Sequence, residues 1–141
     1  MAENKNLLIL KVALVSSVIV ALVYGLVLLF IPQLIVKLSA TVPIDSGVYR
    51  WQGGILTALG IGTIMVLRNP KNQGIFVTTI ALAMLLAGLA MLYSLLTFKY
   101  ELYEGSNVWV DALPTILLLL ISAVLWWGRQ KAKDILKSDQ K

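Results

Sequence analysis

Arg50 and Asp111 are the charged residues whose positions most strongly suggest chemistry, because each stands at the start of a long apolar stretch. Arg50, in the sequence "VYRWQGG", precedes the next cation, Arg68, by 18 residues. Asp111, in "WVDALP", precedes Arg129 by the same 18 residues. A helix of that length covers about 27 Å, close to the thickness of a bilayer's hydrocarbon core. The spacing therefore predicts that Arg50 and Asp111 lie at similar depth, near the same membrane surface.

Several roles are open to these two side chains. A charge within a membrane is destabilising unless it is paired, so Arg50 and Asp111 are predicted to form an ion pair, directly or through water or a ligand. Asp111 could instead cap the helix that follows it, with Pro114 in the first turn of that helix. A guanidinium can also bind a carboxylate or phosphate through two hydrogen bonds, which predicts a ligand site around Arg50. The side chains expected near that site are Tyr24, Gln52, Thr57, Tyr93, Thr97 and Thr115.

The 141 residues include no cysteine and no histidine. This composition excludes disulfides, thiol redox chemistry, metal or haem ligation through imidazole, and Ser-His or Cys-His nucleophiles. No catalytic residue, metal site or cofactor is predicted, and an enzyme is the least favoured class. The chain carries a formal net charge of +5, but its cations occur in a few clusters instead of one continuous face, so no nucleic-acid partner is predicted.

The composition is that of a membrane protein, with 59% hydrophobic and only 13% charged residues. About 20 apolar residues are needed to cross the hydrocarbon core, so each long uncharged run predicts one transmembrane helix. These runs cover residues 12–36, 51–67, 72–98 and 112–128. We therefore expect an all-α, integral membrane four-helix bundle that forms a single domain, 1–141. The predicted helices lie at about 7–31, 50–67, 74–98 and 110–128, and a basic tail at 129–141 follows them.

The distribution of Lys and Arg predicts the orientation of the bundle. Nine of them fall on the side of the two termini, and three fall on the other side, namely Lys37, Arg50 and Lys99. Because short cytoplasmic loops are enriched in Lys and Arg, both termini are predicted to be cytoplasmic. Two connections add detail. "PQLIVKLS" predicts a short amphipathic turn on the outer surface, and "RNPKNQG" predicts a tight turn between antiparallel neighbours.

Small residues recur on one face of the predicted helices, where they would let backbones approach closely. The residues expected at these contacts are Ala13, Ser17, Ala21 and Gly25 on the first helix, Gly53 and Gly54 on the second, and Ala83, Ala87 and Ala90 on the third. The small and hydroxyl-bearing face of the third helix extends from Thr79 to Thr97. The third helix is therefore predicted to be the most enclosed span.

Two stretches, "FIPQLIVKL" and "YRWQGGILTALGIG", resemble the DoxX-like group of small four-helix bacterial membrane proteins. In that group too, a proline after the first helix precedes an Arg-x-x-Gly-Gly-like start of the second. The resemblance covers roughly residues 20–65 and implies the four-helix fold, an outer location for Arg50 and a prokaryotic inner (plasma) membrane. Some members are linked to quinone-dependent oxidation of sulfur compounds, but this sequence has no redox residue, so no activity is implied for it.

Two classes of function remain. The chain could be an accessory or structural subunit, or an assembly partner, that docks through its Leu-rich faces on other membrane proteins or on a second copy of itself. Alternatively, it could bind a lipid, a quinone or a small anion in a pocket around Arg50 on the outer side. Both classes share the lipid bilayer as a partner.

Overall fold

The fold is known from a computed structural model, which describes residues 2–39, 46–97 and 107–136. Those residues form helices and no strand, so the prediction of an all-α protein is confirmed. The helices are α1 (Ala2–Phe30), α2 (Pro32–Ser39), α3 (Ser46–Arg68), α4 (Gly74–Thr97), α5 (Val108–Lys131) and α6 (Lys133–Leu136).

In the part of the chain that the structure describes, three helices are long and apolar enough to cross a membrane. The spans are Leu7–Phe30 in α1, Gly74–Thr97 in α4 and Val108–Lys131 in α5. These helices identify a multi-pass membrane protein. The other long helix, α3, has 23 residues, but Gln52 and several glycines lower its hydropathy.

The long helices pack in the order α3, α1, α5, α4. The backbones of α1 and α3 approach most closely at two glycines. A Cβ atom on Gly53 would lie 2.5 Å from the amide nitrogen of Leu29 and 2.7 Å from the carbonyl oxygen of Gly25. Gly25 in turn faces Thr57, while Gly54 has open space in the direction of a Cβ atom. Of the two adjacent glycines in "RWQGG", only Gly53 is thus needed for close helix packing.

The other contacts also involve small residues and one interhelical hydrogen bond. Gly88 of α4 faces Leu119 of α5, and the buried Ser122 hydroxyl donates to the carbonyl of Ala81 over 2.8 Å. Gly128 brings α5 against α1, since a Cβ atom there would lie 3.1 Å from the Cα atom of Leu10. α5 is therefore held by both of its neighbours.

The prediction that "RNPKNQG" forms a tight turn between antiparallel neighbours is only partly correct. Asn72 adopts a φ of 62°, in the left-handed region that asparagine tolerates, and the chain turns there between α3 and α4. Phe76 lies against Gly62 near this turn. Beyond it, α3 and α4 make little contact, because each packs mainly on another helix: α3 on α1, and α4 on α5.

The well-packed core lies in the half of the bundle that contains the α3–α4 turn and α6. Its fully buried side chains include Leu10, Leu14, Ile80 and Leu125, and Leu136 of α6 packs against them. We name this half the basic end, because the cations Lys11, Arg68, Lys71, Arg129, Lys131 and Lys133 lie there. The opposite half, which contains α2 and the start of α5, is named the cavity end.

The prediction that the third long helix is the most enclosed span is wrong. The buried residues of α4 are Val77, Ile80, Ala81, Met84 and Gly88. None lies between Leu89 and Thr97, where Tyr93 and Leu96 are 70% and 77% exposed. The exposed hydroxyls of Thr79, Ser94 and Thr97 donate to carbonyls of their own helix, so they need no partner helix.

The predicted contact face of α4 is also displaced. Ala83 and Ala87 are half-buried and Ala90 is exposed, whereas the larger Ile80 and Met84 are buried. The physical reason is that Gly88 sets the approach of α5, which brings the adjacent face of α4 into the core. By contrast, the first helix buries Ala13, Ser17, Ala21 and Gly25.

Candidate functional site

A cavity of about 410 Å³ lies at the cavity end, between the four long helices and α2. Its lining is mostly apolar, and the polar side chains among the lining residues are Tyr24, Tyr49, Gln52 and Asp111. The apolar lining consists of Val20, Ala21, Leu28, Ile35, Ile55, Leu56, Met84, Ala87, Ala90, Met91, Val110, Pro114 and Leu118.

The cavity forms because α3 and α4 separate after their turn. Tyr49, Gln52 and Leu56 of α3 line one side at helical spacing, and Ala87 and Ala90 of α4 line the other. The methyl side chains of these alanines are too short to reach across the gap. The small residues of α4 therefore leave a space where the sequence pattern suggested a helix contact.

The two ends of the cavity are lined by different residues. Met84 and Leu118 are buried and separate the cavity from the core of the basic end. At the opposite end, α2 packs across α1, α3 and α5, and its Ile35 lines the cavity. The stretch "PQLIVKLS" thus forms a helix that covers the cavity, with Leu34, Lys37 and Leu38 on its exposed side.

One interpretation of the sequence made Asp111 the cap of α5, and this interpretation is wrong. The cap is Asn107, whose side-chain oxygen accepts a hydrogen bond from the Trp109 N–H at 3.1 Å. Asp111 lies about one turn into the helix, where it is half-buried and lines the cavity. It is close enough to Tyr24 to interact electrostatically with the tyrosine hydroxyl. The carboxylate therefore belongs to the cavity wall.

Pro114 lies in the same wall and removes one hydrogen bond from α5. It lies in the second turn of α5, not in the first, because the helix begins at Val108. A proline has no N–H, so it cannot supply the bond that the carbonyl of Val110 would normally accept four residues earlier. Both residues line the cavity. The Val110 carbonyl thus lacks its usual donor within the helix, one residue before Asp111.

Three of the eight predicted ligand-site residues line the cavity, namely Tyr24, Gln52 and Asp111. Thr57 and Thr115 instead donate to carbonyls of their own helices, those of Gly53 and Asp111, over 2.8 and 2.6 Å. Tyr93 and Thr97 lie on the exposed end of α4. Arg50 is exposed and is not among the lining residues, so the site is not centred on it as predicted. The ion pair between Arg50 and Asp111 stays a prediction.

The sequence interpretation missed most of the lining. Tyr49 could have been found, since it precedes Arg50 in the quoted "VYRWQGG" and shares a helical face with Gln52 and Leu56. The apolar residues gave no such signal, because Leu, Ile, Val and Met facing a cavity cannot be distinguished by type from those facing lipid.

No family model, curated protein or solved structure matches this chain. The DoxX-like resemblance therefore depends on the two quoted stretches alone and stays a proposal.

Proposed function

We propose that this protein is a four-helix membrane protein that binds one amphipathic, lipid-like molecule in the cavity between α3 and α4. The observation that carries the proposal is the cavity itself. Its volume of about 410 Å³ falls within the range of small-molecule sites, and its polar side chains are few. In a protein with three apolar helices, such a cavity is accessible to molecules that partition into the bilayer.

The proposal includes α3 as the fourth membrane span. Its 23 residues extend about 35 Å, more than the hydrocarbon core of about 30 Å. It packs antiparallel along α1, and its exposed face carries Ile55, Ile61 and Met65, which suit contact with lipid. The basic end then faces the cytoplasm, because it holds most of the cations.

The lining favours a neutral ligand over an anion. The described lining residues include one carboxylate, Asp111, and no Lys or Arg. Tyr24, Tyr49 and Gln52 can donate hydrogen bonds to a carbonyl, while the Asp111 carboxylate can accept them from a hydroxyl or amide. A lipid alcohol, an amide-bearing lipid or a quinone–quinol pair fits this set. We therefore propose a neutral lipid or quinone and not a small anion.

Filling the cavity tests the proposal. Ala90→Leu places a larger side chain in the space, and Ala123→Leu makes the same change on the exposed face of α5. Each protein is purified in mild detergent, and native mass spectrometry with lipid extraction identifies any retained molecule. We expect a neutral lipid or quinone with wild type and Ala123→Leu, and its loss from Ala90→Leu at an unchanged melting temperature. Equal retention by all three, or no retained molecule in wild type, would contradict the proposal.

A role as an accessory subunit is the second candidate, and one observation favours it. The last turns of α4, Leu89–Thr97, contain no buried residue and expose Leu92, Tyr93 and Leu96. Such a surface suits a neighbouring transmembrane helix as well as lipid. In the same native mass spectrum, a stoichiometric second chain without a small molecule would favour this role.

A further inference from the structure

Arg129, near the end of α5, has an unusual environment at the basic end. Its Nε atom is buried and has no hydrogen-bond partner among the described residues. Its guanidinium lies over the ring of Trp126, 5.5 Å from the ring centroid. The positive charge of the guanidinium is attracted to the face of the ring, and its N–H groups lie in the plane of the guanidinium itself. The Nε–H is therefore a donor that no acceptor of the described residues satisfies.

The backbone around Arg129 is held firmly. The preceding Gly128 packs directly on Leu10 of α1, and the following Ala132 is buried. The Ala132 N–H also donates to the Gly128 carbonyl over 2.9 Å. The position of the arginine is therefore set by the core of the basic end.

The charges on this end favour an anion. Five further cations of the described chain lie here, and all are exposed: Lys11, Arg68, Lys71, Lys131 and Lys133. The acidic residue described beside them is Asp134, which is also exposed. Trp126 and Trp127 are 42% and 50% exposed in the same turns of α5, and exposed tryptophans are typical of the headgroup region of a bilayer.

We propose that the basic end binds the phosphate group of an anionic phospholipid, with Arg129 as its central ligand. N–H groups of the guanidinium donate hydrogen bonds to the phosphate oxygens, and the contact with the Trp126 ring helps to hold the guanidinium in place. The exposed lysines add attraction that does not depend on exact geometry. This site depends on membrane insertion of the bundle but not on occupancy of the cavity, which lies at the other end.

Lipid titration of the detergent-purified, delipidated full chain tests the proposal. Native mass spectrometry compares the retention of phosphatidylglycerol with that of phosphatidylcholine. Wild type is expected to retain phosphatidylglycerol preferentially, and Arg129→Gln to lower its affinity about five-fold or more. Lys131→Gln removes an exposed cation of the same helix end and should have the smaller effect. Arg129→Lys should restore binding only in part, since an ammonium group lacks the paired N–H geometry.

The wild-type measurement alone can overturn the proposal, whatever the variants do to folding. Equal retention of the two lipids would remove the site. Equal losses for Arg129→Gln and Lys131→Gln would reduce it to general surface charge and contradict the role of Arg129. Displacement of phosphatidylglycerol by millimolar inorganic phosphate would indicate a site for free anions instead of lipid.

Discussion

The two ends of this bundle are built from the same helices but differ in how they use them. At the basic end, α1, α4, α5 and α6 bury Leu10, Ile80 and Leu125 completely. At the cavity end, α1 and α3 still touch through Gly25 and Gly53, but α4 buries nothing after Gly88, and a cavity of about 410 Å³ remains. The difference originates where α3 and α4 separate beyond their turn.

This contrast suggests that the two ends of one small domain have different roles: the basic end contributes most to stability, and the cavity end to ligand binding. Tightly packed regions contribute most of the free energy of unfolding, whereas ligand sites lie in regions with fewer packed contacts. Met84 and Leu118, which separate the cavity from the core, lie at the boundary between the tightly packed region and the ligand site. Substitutions at the basic end should therefore act mainly on stability, and substitutions around the cavity mainly on ligand retention.

The largest effect is expected from truncating a leucine of the basic end. Leu125 is fully buried, so Leu125→Ala should lower the free energy of unfolding by about 2–5 kcal/mol. Leu56→Ala, which enlarges an existing cavity, should have a smaller effect, and Leu120→Ala on the exposed face of α5 the smallest. Thermal unfolding in one detergent compares the three. Equal losses for Leu125 and Leu56 would mean that the ends are packed alike.

The next largest effect tests the contact that the cavity end does keep. A Cβ atom on Gly53 would collide with the backbone of α1, so Gly53→Ala should destabilise the bundle by about 1–3 kcal/mol. The neighbouring Gly54 has open space, so Gly54→Ala should be neutral or slightly stabilising, because alanine favours helix. The same melting assay serves here. If the two variants behaved alike, the close approach of α1 and α3 would be in error.

These residues also show what could be predicted from sequence. Hydropathy and helical period are properties of single helices, and they predicted the all-helical fold and the small face of α1. The pairing of helices depends on shape at particular positions. Gly88 and Gly128 decide how α4, α5 and α1 meet, yet both lie within long apolar runs, where a glycine gives no sign of its partner. For this reason the sequence predicted the wrong contact face for α4. It placed Ala90 at a helix contact, whereas Ala90 lines the cavity.

The site was predicted in part for a related reason. Polar side chains are rare in apolar helices, so the sequence alone indicates Tyr24, Gln52 and Asp111 as candidate site residues. Arg50 was predicted in the same way. It is exposed instead, because it lies in the part of α3 that precedes the contact of Gly53 with α1. A cavity is formed by several helices together. No single stretch of sequence therefore predicts that Met84 and Leu118 line one end of it and that α2 lies at the other.

A smaller effect is expected from removing the hydrogen bond between Ser122 of α5 and Ala81 of α4, which lies in the core next to Met84 and Leu118. Ser122→Ala removes the donor to the Ala81 carbonyl, and such bonds between membrane helices contribute about 0.6 kcal/mol on average. Ser94→Ala is the matched control, because Ser94 is exposed and bonds only to its own helix at Ala90. The control should leave the melting temperature unchanged. A larger loss in Ser94→Ala would show that the end of α4 is covered by another chain.

A similarly small effect is expected for the pair that the sequence first suggested. Arg50 is exposed, and exposed ion pairs contribute about 0.2–1 kcal/mol, so Arg50→Gln and Asp111→Asn should show a coupling below about 1 kcal/mol in a double-mutant cycle. Their effects on ligand retention should differ instead. Asp111 lines the cavity, so Asp111→Asn should weaken retention of a ligand hydroxyl or amide, while Arg50→Gln should leave retention unchanged. A coupling of several kcal/mol would establish a buried pair and join Arg50 to the cavity. Loss of the ligand from Arg50→Gln alone would favour an anion bound by the arginine and reject the neutral ligand that the lining of the cavity favours.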